Sequence, residues 1–205
     1  MVEKHLKKRG IAEQKVLSAM GEVPRHEFVP ARLKDKAYSD RALPIDENQT
    51  ISQPYIVAYM IQAIEPSDCQ KVLEVGTGSG YAAAVIAEIV DEVYTIERYE
   101  SLANKAEKRW ANLDYSNIYC KVGDGTKGWP GPSPYDGIVV SAAAPEVPET
   151  LKEQLAIDGL LVIPVGNKKI QKITLVKRVS QNEFSTEELI GVRFVPLVGE
   201  EGWHE

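Results

Sequence analysis

The segment Gly76-Thr77-Gly78-Ser79-Gly80 has residue types and spacing suited to binding a nucleotide-like ligand. A short, mainly apolar run, 71–75, precedes it, and the segment 81–90 that follows has apolar residues at helical spacing. Strand, turn and helix in this order form the first half of a βαβ unit, whose crevice at the end of the first strand holds such ligands. Glycines suit a tight turn that a ligand must approach closely. The alternative is a buried turn whose glycines serve only the fold.

Two acidic residues beside this motif indicate which ligand it would bind. The run 93–96 ends in Glu97, where an acid at the tip of a second strand would bind a ribose diol. Glu74 lies at the end of the first strand, where a carboxylate would repel a pyrophosphate and suit an amino group. These features favour S-adenosylmethionine, a cationic nucleoside without phosphate. An NAD-dependent oxidoreductase remains the alternative, although it would need a pyrophosphate site and a proton relay, and the sequence shows neither.

Two further polar residues each have a functional and a structural interpretation of equal weight. Ser52 lies in the polar, turn-rich segment 37–56, which has the length and composition of a functional loop. It could act in the site or cap the helix that Pro54 begins. Asp124 follows a predicted strand and could accept a hydrogen bond from an adenine amino group, or it could form an Asp-Gly turn. For His26, a solvated or capping role is preferred over catalysis.

Composition and charge place the chain among ordinary globular proteins. Its 205 residues suit one α/β domain, and a net charge of −6 disfavours nucleic acid as a partner. Two cysteines, a charged N-terminus without a signal-peptide core and no long apolar run predict a cytoplasmic protein that does not enter the membrane. We expect a single domain over 1–205, divided into an N-terminal helical and substrate-loop segment (1–66), a cofactor-binding core (67–166) and C-terminal strands (167–205).

The remaining pattern predicts the elements that must position these residues. The first helix is expected over 1–20, with Gly10 as an interruption and an end at Gly21 and Pro24. Further helices are expected over 56–64, over 100–112 and from Pro148 to Asp158-Gly159. A packed turn or short helix is expected at 23–30. Strands are expected over 118–122, 137–141, 160–166 and 173–179 and within 187–197, with a hairpin tip at Lys168-Lys169. The predicted fold class is therefore α/β, an open and mainly parallel sheet with antiparallel strands at its C-terminal edge and an N-terminal helical segment.

Several motifs together resemble the protein L-isoaspartyl (D-aspartyl) O-methyltransferases. The resemblance covers most of the chain, and its motifs include VPRHEFVP (23–30), QTISQP (49–54), VLEVGTGSGY (72–81), GDG (123–125) and FVPLVGEEGW (194–203). The glycine motif is common to S-adenosylmethionine enzymes, whereas QTISQP and the FVPL run are much narrower. Ala83 stands where many members of the family have threonine.

The resemblance implies a Rossmann-like, often monomeric methyltransferase that repairs aged proteins. It implies methylation of the abnormal α-carboxylate of L-isoaspartyl residues, followed by succinimide formation and partial return to aspartate, with S-adenosyl-L-homocysteine as the product and no metal. Ser52 matches the family's active-site serine. A carboxylate has a pKa near ~4 and needs no general base at neutral pH. The open alternatives are a non-enzymatic binding module and a methyltransferase for small molecules or nucleic acid.

The predicted site therefore has one catalytic residue, Ser52, and two binding sets. The predicted cofactor-binding residues are Glu74, Gly76, Thr77, Gly78, Ser79, Glu97, Arg98, Asp124 and Gly125. The predicted substrate-binding residues are Thr50, Ile51, Ser52 and Val195.

Overall fold

A computed structural model describes residues 1–204 and is built around a seven-stranded sheet. The strands in chain order are β1 (Leu43–Pro44), β2 (Thr50–Ile51), β3 (Lys71–Val75), β4 (Glu92–Glu97), β5 (Ile118–Val122), β6 (Tyr135–Val140), β7 (Leu155–Gly166), β8 (Gln171–Ser180) and β9 (Glu183–Val192). The large sheet has the order β5-β4-β3-β6-β7-β8-β9, and β1 pairs with β2 in a separate antiparallel hairpin. Strands β3 to β7 pair in parallel, whereas β8 and β9 are antiparallel, which confirms the predicted sheet.

The centre of the sheet determines where a ligand can bind. Strand β3 pairs with β4 on one side and with β6 on the other, so that Val75 lies opposite both Ile96 and Val140. The chain passes from β3 to β4 and later crosses back to β6, which makes the β3 end a topological switch point. In open α/β sheets, ligands bind in the crevice at the carboxyl ends of the strands beside such a point.

In the described part of the chain, five α-helices pack on the two faces of the sheet. They are α1 (Gln14–Glu22), α2 (Pro54–Ala63), α3 (Tyr81–Ala87), α4 (Glu100–Asn112) and α5 (Glu149–Glu153). Helices α1, α2 and α3 share one core with Phe28 and Val93, whereas Leu151 of α5 belongs to the core on the opposite face with Leu73 and Ile138. None of the described helices is long and apolar enough to cross a membrane.

The N-terminal segment differs from the single helix predicted over 1–20. It forms a π-helical turn, Val2–Leu6, and a 3₁₀ turn, Lys7–Arg9, before Gly10 interrupts it with a φ of 93°. The predicted interruption is confirmed, because this left-handed φ suits glycine. Helix α1 continues past Gly21 to Glu22 and ends where Val23 takes the extended conformation favoured before a proline.

The segment 37–56 contains more regular structure than its composition suggests. Leu43 pairs with Ile51 and Pro44 with Thr50, so the segment folds back on itself as a hairpin. The following helix, Pro54–Ala63, begins at Pro54, as the cap interpretation of Ser52 assumed.

Two predictions in the C-terminal half are wrong. The helix expected to reach Asp158-Gly159 ends at Glu153, because Leu155 already pairs with Tyr135 and starts β7. The last strand, expected within 187–197, is Glu183–Val192, since pairing with β8 fixes its register. The predictions of a helix over 100–112, of a strand over 118–122 and of a hairpin tip at Lys168-Lys169 are confirmed.

Candidate active site

The glycine motif forms a tight loop between β3 and α3. Gly76, Gly78 and Gly80 have φ values of 96°, 53° and 85°, all in the left-handed region that favours glycine. A Cβ atom on Gly80 would lie only 2.8 Å from the indole ring of Trp110. The same indole Nε1 donates a hydrogen bond to the Gly80 carbonyl at 2.9 Å. Only a residue without a side chain can therefore bring the loop this close to α4.

Glu97 at the tip of β4 holds this loop from the side. Its Oε2 accepts a hydrogen bond from the Gly78 amide at 2.8 Å, and its Oε1 accepts one from the Tyr99 amide at 3.0 Å. The side chain is only 5% exposed. A carboxylate offers about four lone-pair positions, so two remain for a ligand hydroxyl pair.

Glu74 lies at the base of the same crevice and is 1% exposed. Thr95 Oγ1 donates a hydrogen bond to its Oε2 at 2.8 Å, and Thr95 in turn lies 2.6 Å from the Thr77 hydroxyl oxygen. The pKa of Glu74 is raised to about 8, mainly by burial and to a smaller extent by the negative charge of Glu97, whereas the Thr95 hydrogen bond acts in the opposite direction. No lysine is buried within residues 1–204, so these two acids favour a cationic ligand, which would stabilise the ionised form of Glu74.

One cavity connects these acids with the predicted substrate segment. It is lined by Glu74, by the loop Gly76 to Ser79, and by Glu97, Arg98 and Gly125. Thr50, Ile51, Ser52 and Val195 line the same cavity. The structure therefore brings together every predicted site residue except Asp124. No metal site is formed by three or more His, Cys, Asp or Glu side chains within residues 1–204.

Asp124 lies beside the cavity and binds the C-terminal segment. Its Oδ1 accepts hydrogen bonds from the Thr126 amide and hydroxyl at 2.9 and 2.7 Å, and its Oδ2 accepts one from the Glu200 amide at 2.9 Å. These contacts match the structural interpretation, a turn after the strand. The hydrogen bond to an adenine amino group stays a prediction.

Ser52 does not cap helix α2, so the structural interpretation of this residue is wrong. The N-cap is Gln53, and the Tyr55 amide donates to Asp40 Oδ1 at 3.1 Å. Asp40 also binds the Gln53 side chain through its Oδ2 at 2.8 Å. The aspartate thus performs the capping, and Ser52 lies at the cavity wall.

The hairpin β1–β2 carries Thr50 and Ile51 to the cavity and rests on α4. At its tip the Gln49 amide donates to the Asp46 carbonyl at 3.0 Å, with left-handed φ values at Glu47 and Asn48. Asp46 contacts Lys105 at 2.7 Å, and Glu47 accepts a hydrogen bond from the Ser101 hydroxyl at 2.6 Å. These contacts hold the hairpin against α4, and its Ile45 lies beside the glycine loop, with Cδ1 3.7 Å from where a Cβ atom on Gly78 would be.

Several lining residues were not predicted from the sequence. The most informative are Tyr81, Tyr99, Ser141 and Ala142, together with the apolar residues Pro196, Leu197 and Val198. Ser141 directly follows β6 and donates its amide hydrogen to the Val75 carbonyl at 2.8 Å. The rule that ligands bind at the ends of adjacent parallel strands would have found it. His26, as expected, is absent from the cavity; its Nδ1 lies 2.7 Å from the Tyr38 hydroxyl oxygen.

Comparison with known proteins decides the family. A family model described as Protein-L-isoaspartate(D-aspartate) O-methyltransferase (PCMT) matches residues 1–202. A protein-L-isoaspartate O-methyltransferase of Pelotomaculum thermopropionicum is 56% identical over 205 residues, which are 100% of this chain and 90% of that protein. The chain belongs to this family. A second methyltransferase of the family, from Geotalea uraniireducens, is 55% identical over 99% of this chain and 93% of its own length.

Solved structures give the same result for the fold. A protein-L-isoaspartate O-methyltransferase structure superposes with a TM-score of 0.87 at 31% identity and covers 98% of this chain and 67% of the other. A Plasmodium falciparum protein, a putative isoaspartate methyltransferase in complex with S-adenosyl-L-homocysteine, gives a TM-score of 0.82 at 25% identity over 96% of both chains. The predicted family, Rossmann-like fold class, enzyme class and S-adenosylmethionine cofactor are therefore confirmed for this methyltransferase.

Proposed function

We propose that this methyltransferase acts on the α-carboxylate of L-isoaspartyl residues within the cavity between the glycine loop and the segment Thr50–Ser52. The observation that carries the assignment is the arrangement of two sets of residues across one cavity. We call the glycine loop with Glu74 and Glu97 the first wall, and the substrate segment with Val195 the second wall; both sets line the same cavity. Methyl transfer needs a donor and an acceptor side by side, and this cavity provides a wall for each.

The first wall fits the cofactor in charge and shape. S-adenosylmethionine supplies, when bound, an electrophilic methyl group on a sulfonium ion. Glu97 would hold the ribose hydroxyls, and Glu74 faces the positively charged end. Gly125 also lines the cavity, and it packs directly against β3, because a Cβ atom there would lie 2.5 Å from Val75 Cγ1. Asp124 would bind the adenine amino group, and Arg98 and Ser79 complete this wall.

The second wall has to orient the substrate carboxylate, which is the nucleophile, but does not have to deprotonate it. A carboxylate with a pKa near ~4 is ionised at neutral pH, so no base has to remove a proton. No histidine is among the residues that line the cavity in the described part of the chain. Ser52 donates a hydrogen bond from its hydroxyl to the carboxylate and fixes its direction of attack, which is the kind of positioning that contributes most to such reactions.

Methyl transfer also requires that water be excluded from the cavity, and two segments beside the cavity serve this purpose. The hairpin β1–β2 closes one side through its contacts with α4. The segment Val195–Val198 closes the other, because Ala143 donates to the Val195 carbonyl at 2.8 Å and Leu197 donates to the Ala143 carbonyl at 2.7 Å. A dry site protects both the methyl donor and the attacking oxygen.

The repair outcome can be tested by following the product. An isoaspartyl peptide incubated with the enzyme and S-adenosylmethionine should first gain one methyl group, then lose methanol to a succinimide, and finally yield some aspartyl peptide. Mass spectrometry and chromatography distinguish all four species. A methyl group that resists mild base, and is therefore not an ester, would contradict methylation of a carboxylate.

A further inference from the structure

Arg25 links the two walls of the cavity although it lies in neither predicted set. It belongs to a 3₁₀ helix, Arg25–Phe28, and is 0% exposed. Its Nη2 donates a hydrogen bond to the Ser52 carbonyl at 2.7 Å, and its Nε donates one to the Ala37 carbonyl at 2.8 Å. The guanidinium carbon lies 4.6 Å from the centre of the Tyr81 ring.

These three contacts have a consequence for the site. Ser52 is the proposed carboxylate-orienting residue, and Tyr81 is the first residue of α3, directly after the glycine loop. Both line the cavity. The planar guanidinium of Arg25 donates a hydrogen bond to the Ser52 carbonyl and lies over the Tyr81 ring. It therefore fixes the distance between these two residues, because its donors are held in a rigid fork.

Stability alone is a weak reason for this arrangement. Burying a charged group costs free energy, and well-packed apolar residues often stabilise a core as well or better. Burial accordingly lowers the pKa of the Arg25 guanidinium, so keeping it charged at this position costs free energy.

We propose that Arg25 is a positioning residue for methyl transfer, which fixes Ser52 relative to the glycine loop. The inference rests on the proposed role of Ser52. Arg25 acts through the main chain of Ser52 and does not contact the substrate. A displacement of the Ser52 hydroxyl by about 1 Å can reduce the rate on the order of 100-fold.

The first test is the conservative variant Arg25→Lys. Lysine keeps the positive charge but cannot donate to two carbonyls in a fixed plane or stack in the same way. We expect kcat for an isoaspartyl peptide to fall by about 10- to 100-fold, whereas the Kd for S-adenosyl-L-homocysteine changes by less than about twofold, since Glu74 and Glu97 are untouched. If the Arg25→Lys protein does not fold, Arg25→Gln, which removes the buried charge, is measured instead. The same loss of kcat is expected for it.

Arg178 provides a matched control. Its guanidinium also donates to main-chain carbonyls, through Nη1 to Glu153 and Leu155 at 2.8 and 2.6 Å and through Nη2 to Gln181 at 2.9 Å. Leu155 starts β7, so these contacts lie at the end of the sheet opposite the cavity. Arg178→Lys should lower Tm and leave kcat unchanged, which separates loss of stability from loss of positioning.

A double-mutant cycle with Ser52→Ala gives the decisive result. If Arg25 acts by placing the Ser52 hydroxyl, Arg25→Lys should reduce kcat much less in the Ser52→Ala background than in the wild type. Equal reductions in both backgrounds, or wild-type kcat in Arg25→Lys, would overturn the inference. A Ser52→Ala enzyme with full kcat would overturn it as well. Absence of methyl transfer by the wild type would instead contradict the proposed function.

Discussion

The carboxylate of Glu97 accepts a hydrogen bond from the main-chain amide of Gly78 at 2.8 Å. The acid at the tip of β4 thus holds the glycine loop that follows β3, and its second oxygen binds the Tyr99 amide. Because both contacts are to the main chain, the carboxylate is oriented before any ligand binds. Such preorganisation lowers the cost of binding.

Replacing Glu97 by alanine should therefore weaken cofactor binding. The change removes the proposed ribose partner and also frees the Gly78 amide. We expect the affinity for S-adenosyl-L-homocysteine to fall by about 1–3 kcal/mol, the range for losing a hydrogen-bonded buried charge. Isothermal titration calorimetry measures this directly. An unchanged Kd in Glu97→Ala would rule out the ribose role.

Cofactor binding should also depend on pH through Glu74. Burial raises its pKa to about 8, so the carboxyl is mostly protonated at neutral pH in the free protein. The positive charge of the bound ligand favours the ionised form, and binding should then release up to one proton. Affinity should rise with pH up to about pH 8 and level off above it, because the proton is then already lost.

Calorimetry at about pH 7 in buffers of different ionisation enthalpy measures this proton release. Glu74→Gln cannot lose the proton and serves as the control, with the same enthalpy in every buffer. A wild-type binding enthalpy that is also independent of the buffer would show that Glu74 does not change its ionisation on binding.

Ser52→Ala should reduce methyl transfer without weakening the fold. The hydroxyl does not cap α2, because Asp40 accepts the hydrogen bond of the Tyr55 amide. We expect kcat to fall, cofactor affinity to stay nearly constant and Tm to change little. Asp40→Ala is the matched variant, and it should lower stability by about 1 kcal/mol as a lost cap. A Ser52→Ala enzyme that loses stability but keeps full kcat would return Ser52 to a structural role.

Some parts of the site depend only on residues that are close together in the sequence, and these parts could be predicted. The glycine loop and Glu97 are short local patterns with a direct physical reason, whereas the family resemblance indicated the run Thr50–Ser52. The structure places them all on one cavity. The capping role of Asp40 was less visible, because it acts on Tyr55 across 15 positions of the chain.

Contacts between distant segments could not be predicted from the sequence. Asp124 binds the amide of Glu200, 76 positions away, and Arg25 binds the carbonyl of Ser52, 27 positions away. Both contacts depend on how the segments pack in three dimensions. The start of β7 was missed for the same reason, since its pairing with Tyr135 overrides the helical pattern of the sequence.

The enzyme should recognise its substrate mainly through the main chain of the peptide. A repair enzyme meets a different sequence around each damaged residue, and an extended peptide can hydrogen-bond to exposed main chain without side-chain pockets. The candidates for this surface are the hairpin segment 42–52, of which residues 49–52 line the cavity, and the segment around Val195, which also lines it.

A series of isoaspartyl peptides tests this. N-methylation of the peptide bond beside the isoaspartate should raise KM more than replacing the neighbouring side chains does. The opposite ranking, with side-chain changes dominant and N-methylation harmless, would contradict main-chain recognition.

The most direct test of the account compares two peptides that differ only at the damaged residue. Wild-type enzyme is incubated with S-adenosylmethionine labelled in its methyl group and with either an isoaspartyl peptide or the same peptide containing normal aspartate. The extra methylene in the isoaspartyl main chain changes where the carboxylate lies, and a misplacement of about 1 Å costs on the order of 100-fold in rate. We predict base-labile label on the isoaspartyl peptide and almost none on the aspartyl peptide. Equal labelling of both peptides, or label on neither, would contradict the account.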